Sequence, residues 1–188
     1  MNKKIIFVLM MIFSFIACNK KDSNLSITPE LSTKQEYNLI NLVFSNDTVL
    51  YVLKQKTNPY LKDDFNYFKN GIPEIDYYVY DNYIKNNNKG YLIDSIGLTN
   101  NIELLPDGMF DIVHENSIGF DWYEFYNYYP NASTLFSFSR VGFNQDSTLA
   151  LLCYDTDNNV EYAFHARYYK KVNADWELIG WITTGTDK

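Results

Sequence analysis

The sequence predicts an α+β fold, with helices packed on one face of a mainly antiparallel sheet that ends in a four-stranded meander. Three observations predict it. Residues 133–183 hold four runs loaded with Leu, Phe, Tyr, Val and Trp, which suit a pleated, half-buried surface. The runs are parted at Asn144–Ser147, Asp155–Asn159 and Asn173–Asp175, where short polar side chains bond the local backbone and favour turns. Upstream the apolar residues recur mostly at helical spacing, and helices followed by strands fit α+β better than a doubly wound parallel sheet.

The first element is an address. Lys3 and Lys4 precede an uncharged apolar run from Ile5 to Ala17, shorter than the roughly 20 residues a spanning helix needs and suited to a signal peptide. The run closes on Phe15-Ile16-Ala17-Cys18, which resembles the lipobox of bacterial lipoproteins. That resemblance implies cleavage before Cys18, which becomes the new amino terminus and is diacylated on its sulfur, and each buried methylene then adds about 0.8 kcal/mol of membrane affinity. Residues 1–17 are accordingly expected as signal, 18–32 as acylated Cys and polar tether, and 33–188 as one α+β domain. Lys20, Lys21 and Asp22 resemble the surface-export signals of Bacteroidetes lipoproteins. The location they imply is the envelope, lipid-anchored at the outer membrane.

A helix is expected from Thr33, capped by Ser32 or Thr33 with Gln35 or Glu36 completing a capping box. Tyr37, Leu39, Ile40, Val43 and Phe44 form its apolar face, and Asn46-Asp47 stops it. Thr48–Lys56 alternates as a strand and ends at Asn58-Pro59. A short helix is expected around Leu61–Phe68, then one opened by Pro73-Glu74 and closed by Asn86 to Gly90, with Gly90 as a left-handed cap. Tyr91–Ile96 and Ile102–Leu105 read as strands or irregular packing, and 109–121 as either strand or helix. Asp121 caps a helix over Trp122–Tyr129, whose Trp122, Phe125, Tyr126 and Tyr129 share one side.

The 188 residues carry 16 Lys or Arg against 23 Asp or Glu, a net charge of −7. Nucleic-acid binding draws on clustered cations, and none are clustered here. With Cys18 acylated, Cys153 is the one remaining thiol, so no disulfide or Cys-based zinc site can form within the chain. Within Leu149–Cys153 it reads as a small buried hydrophobe. His114 sits amid the densest acidic stretch, and His114, Asp111 and Glu115 are the candidate ligands for an oxygen-loving or mixed N/O metal; solvated carboxylates are the commoner outcome of such a stretch. His165 alternates with Glu161, Ala163, Arg167 and Tyr169 opposite Tyr162, Phe164, Ala166 and Tyr168. The second set is expected in the core and the His165 face exposed or lightly covered. No Gly-x-Ser-x-Gly and no glycine-rich phosphate loop occurs. No catalytic residue and no cofactor are assigned, and the reading leans away from an enzyme.

The 17 Tyr, 13 Phe and 3 Trp build either a Tyr-rich core with hydroxyls at its edge or exposed faces for sugar rings. Trp122-x-x-Phe125-Tyr126-x-x-Tyr129-Pro130, then Phe138-Ser139-Arg140-Val141-Gly142-Phe143-Asn144 and a late Trp176, resemble a group of Bacteroidetes lipoproteins over residues 120–183. Members carry a similar helix, a similar strand and a closing strand around a Trp. This chain departs from them in having no glycine between Val160 and Lys171. The resemblance implies a location and a fold, not an activity. Arg140, beside Phe136 and Phe138, is either paired with a buried carboxylate or placed to bind an anion. Trp122, Tyr126 and Arg140 are the candidate ligand-binding residues. The leading expectation is a membrane-anchored envelope lipoprotein that acts as a binding or interaction module for a protein or glycan. The alternatives are a metal-dependent hydrolase around His114 and a protein inhibitor or assembly factor.

Overall fold

The computed structural model describes residues 34–44, 49–58, 64–114 and 117–187. Cys18, the tether, the first helix's cap and its stop at Asn46-Asp47, Pro59 and Glu115 lie outside them.

Helix α1 (Lys34–Val43) is followed by strand β1 (Tyr51–Lys54). Two helices come next, α2 (Phe65–Gly71) and α3 (Tyr77–Asn86). A 3-10 turn at Ser95–Gly97 leads to β2 (Ile102–Leu105), then β3 (Asp111–His114) and β4 (Ser117–Phe120). Helix α4 (Trp122–Tyr128) precedes β5 (Leu135–Phe138) and β6 (Gly142–Phe143). Three long strands finish the chain: β7 (Leu149–Asp157), β8 (Glu161–Val172) and β9 (Asp175–Asp187). The main sheet runs β2-β1-β5-β7-β8-β9, with β6 also on β7, while β3 and β4 form a separate ribbon. Strand β1 is parallel to both β2 and β5, and the remaining pairs are antiparallel.

The class is α+β and the C-terminal strands form the meander. Its turns fall where the polar breaks lie. Asn173 and Ala174 join β8 to β9 with φ of 50° and 78°, the positive pair that a type I′ two-residue hairpin requires.

The helices, however, cover both faces of the sheet rather than one. Leu151, Cys153, Phe164, Ala166 and Tyr168 pack under α2 and α3, against Phe68, Ile72, Val79 and Tyr83. Ala150, Leu152, Tyr154 and Tyr169 pack on the other face with Leu39, Ile40 and Phe44 of α1. A strand buried on both faces is apolar throughout, and Leu149–Cys153 is such a run. The His165 face of β8 therefore also carries the buried Tyr169.

Helix starts are set by Asp side chains that accept otherwise orphaned N–H groups. Asp64 accepts from Asn66 and Tyr67. Asp76 accepts from Tyr78 and Val79, so α3 begins after it and not at Pro73-Glu74. The far end of α3 is Asn87, with φ of −103°, rather than a left-handed Gly90. Asn82, Asn86 and Asn87 donate to the carbonyls of Phe143, Val141 and Arg140. That row ties α3 to the sheet where a Cβ on Gly142 would stand 2.4 Å from the Val79 carbonyl oxygen, so only glycine permits the approach.

Candidate functional site

Between β2 and β5 the chain leaves the main sheet, and this excursion holds most of the predicted site residues. The turn after β2 carries Gly108 and Phe110 at φ of 78° and 76°. A bulky residue in the left-handed region is strained. The Phe110 ring is held among Phe120, Phe125, Tyr128 and Tyr129, with centroids 6.0 to 6.4 Å away. Its carbonyl accepts from Asp121 N–H at 2.8 Å, and Asp121 caps α4 by accepting from Glu124.

The ribbon pairs Asp111 with Phe120, Ile112 with Gly119, Val113 with Ile118 and His114 with Ser117. Val113 is 79% exposed and Ile118 71%. On α4, Tyr123 and Tyr128 are also exposed. Between the ribbon and the carboxyl ends of β1 and β2 lies a cleft of about 310 Å³, lined by Lys54, Lys56, Asp107, Met109, Asp111 and Phe120 among others. Lys56 pairs with Asp107 at 3.2 Å, and the Lys54 ammonium lies 6.0 Å from the centroid of the Phe120 ring. Ammonium groups beside an aromatic face and two carboxylates can hold a small polar ligand; no nucleophile with an adjacent base stands in the cleft's lining.

Asp111 and His114 are not brought together. They lie three residues apart on β3, and side chains at odd spacing on a strand point to opposite faces. Among the described residues no group of three or more His, Cys, Asp and Glu is arranged to hold a metal. Trp122 and Tyr126 do come together, with rings 5.8 Å apart. Both are half-buried against the cluster of Val52, Leu105, Phe125 and Leu135, Trp122 packs on Phe120, and the Tyr126 hydroxyl donates to Asn158 O at 3.0 Å. Both rings pack in this cluster and remain partly exposed, and partial burial raises the Tyr126 pKa.

Arg140 belongs to another region. Its Nε and Nη2 donate to Glu36 Oε1 and Oε2 at 2.7 and 3.0 Å, and its guanidinium lies 4.5 Å from the Tyr91 ring centroid. The paired, structural alternative is the one that the geometry supports. No protein-family model matches the chain, and neither does any curated protein or solved structure.

His165 is neutral at ordinary pH. Its ring stacks on Tyr154 at 4.6 Å between the hydroxyls of Thr156 and Thr183, and burial, then Arg167, push its pKa down to about 4. Burial likewise drives the Cys153 thiol well up, leaving it protonated and inert. The cleft lysines had a faint signal, since Lys54 and Lys56 share one side of a strand end. Phe120 had none.

Proposed function

We propose that this chain is a lipid-anchored protein of the bacterial envelope whose domain is a binding module, with the β3–β4 ribbon and its flanking cleft as the contact surface. The observation that carries the reading is the exposed Val113–Ile118 pair on a ribbon that stands apart from the main sheet. The two side chains adjoin as cross-strand partners, and contiguous exposed apolar surface marks interaction sites. The anchor half of the reading rests on the lipobox resemblance at Cys18 and the polar stretch 18–32. Among the described residues no helix is long and apolar enough to cross a membrane.

Two experiments test the halves separately. Cys18→Ser should abolish labelling by a palmitate analogue and release the protein from the membrane fraction; continued labelling would remove the anchor. A photoreactive amino acid placed at Val113 or Ile118 in whole cells should give discrete adducts. The same probe at Tyr78, which is 73% exposed on α3, should not. Indistinguishable patterns from all three positions would sink the proposed surface.

A further inference from the structure

Two polar atoms are left over beneath α3. Tyr83 Oη belongs to a fully buried ring and Asp155 Oδ1 to a residue 7% exposed, and neither has a hydrogen-bond partner among the described residues. Buried polar groups in native proteins are almost always satisfied, by protein or by ordered water. The donors nearby are engaged, the Tyr162 hydroxyl facing the Asp155 carboxyl, while Ser139 Oγ keeps one lone pair free to accept. Ser139 Oγ donates to Cys153 O at 2.8 Å and accepts from Cys153 N–H at 3.3 Å. Asn58 Nδ2 donates to the other Asp155 oxygen, Oδ2, at 3.0 Å. The Cys153 sulfur beside Tyr83 is a weak acceptor.

Tyr83 and Asp155 line the same small cavity of about 10 Å³, with Ser137, Ser139 and Cys153 around it. A single water needs roughly that much room and two to four polar partners. We infer that this cavity is a binding site for one structural water, which accepts from Tyr83 Oη and donates to Asp155 Oδ1, with the seryl hydroxyls in reach of its second hydrogen. Such a water joins α3 to β7 at the centre of the sheet. Burial of the Asp155 carboxyl, which raises its pKa, is in keeping with a partner that is neutral rather than cationic.

The test joins a crystal structure at a resolution that places ordered waters with thermal melting of Tyr83→Phe, an isosteric change. The expected result is density within hydrogen-bond distance of both Tyr83 Oη and Asp155 Oδ1. Tyr83→Phe should then melt below the parent protein, because the water loses a partner. A dry cavity overturns the inference. So does a variant that melts higher, since an unsatisfied buried hydroxyl would then have been removed at no loss.

Discussion

Glu36 and Asp155 are carboxylates at 1% and 7% exposure, and they sit in opposite surroundings. Glu36 faces a guanidinium squarely and also accepts from Val141 N–H at 3.3 Å. Asp155 faces the Asn58 amide, the Tyr162 hydroxyl and a more distant Lys54. The difference follows from the backbone each one serves. Between β5 and β6 the pairing with β7 slips by one residue, from Phe138 opposite Tyr154 to Gly142 opposite Leu151. A bulge of this kind leaves backbone groups without strand partners. Asn87 takes both polar groups of Arg140, at 2.7 and 2.8 Å, and Glu36 takes the N–H of Val141. The carboxylate thus substitutes for a missing strand partner, and Arg140 offsets its charge. At Asp155 the ladder is intact, so no backbone donor turns toward its carboxyl.

The largest expected effect breaks the paired side of this contrast. Arg140→Met should cost about 3–5 kcal/mol, the usual penalty for stranding one member of a buried ion pair. Urea denaturation measures it. The double variant Glu36→Met, Arg140→Met should recover part of that loss, though not the hydrogen bond to Val141. A loss under about 1 kcal/mol for the single change would mean that the pair behaves as a surface salt bridge.

On the unpaired side the sign reverses. Burial raises the Asp155 pKa in the folded state, so its contribution is complete below the unfolded value and lost as pH rises through the folded one. At neutral pH the ionised carboxylate therefore opposes folding. Asp155→Asn should stabilise the protein by about 1 kcal/mol at pH 7, with the Asn58 bond preserved to the new amide oxygen and the cavity water turned to accept from the new amide N–H. The gain should vanish in acid. Destabilisation at pH 7 would show that Lys54 and the donors to the carboxylate outweigh its burial.

His165 is the basic counterpart, a half-buried ring with no carboxylate bonded to it among the described residues. The groups facing it are Arg167, Thr156, Thr183 and Tyr154. Its folded pKa of about 4 lies below the unfolded value near 6.5, so between those limits the unfolded chain binds the extra proton. Stability should fall as pH drops from about 6.5 to 4, by about 1 kcal/mol once screening of the partly exposed ring is allowed for. Equilibrium denaturation at several pH values, with His165→Gln as the reference that lacks this dependence, reads the difference.

Much of the fold was legible because its signals are local. The meander turns announce themselves through Asn, Asp and Ser, and the shared face of α4 through its spacing. What escaped depends on contacts far along the chain. Glu36 near a helix start looks like half of a capping box, and its bond to Arg140, 104 residues away, leaves no trace in local pattern. Asn86 and Asn87 look like a chain stop and prove to be donors to the sheet. The parallel pairing of β1 is equally non-local. At the candidate site one ambiguity decided everything: residues 111 and 114 would share a face on a helix, but on a strand they cannot.

The smallest stability effect is expected on the ribbon, and it sharpens the contrast from outside. Val113 and Ile118 are cross-strand partners whose side chains remain mostly in water, so their apolar contacts bury little surface. Val113→Ser with Ile118→Thr should change unfolding free energy by only about 0.5 kcal/mol, as exposed substitutions usually do. The same pair of changes should abolish adducts from a photoreactive group placed at Tyr123, which is 75% exposed on the neighbouring helix. Arg140→Met would act the other way, lowering stability while leaving adducts from the still-folded fraction unchanged. A ribbon variant that lost several kcal/mol would instead make Val113 and Ile118 part of the core, and the contact surface would have to be sought elsewhere.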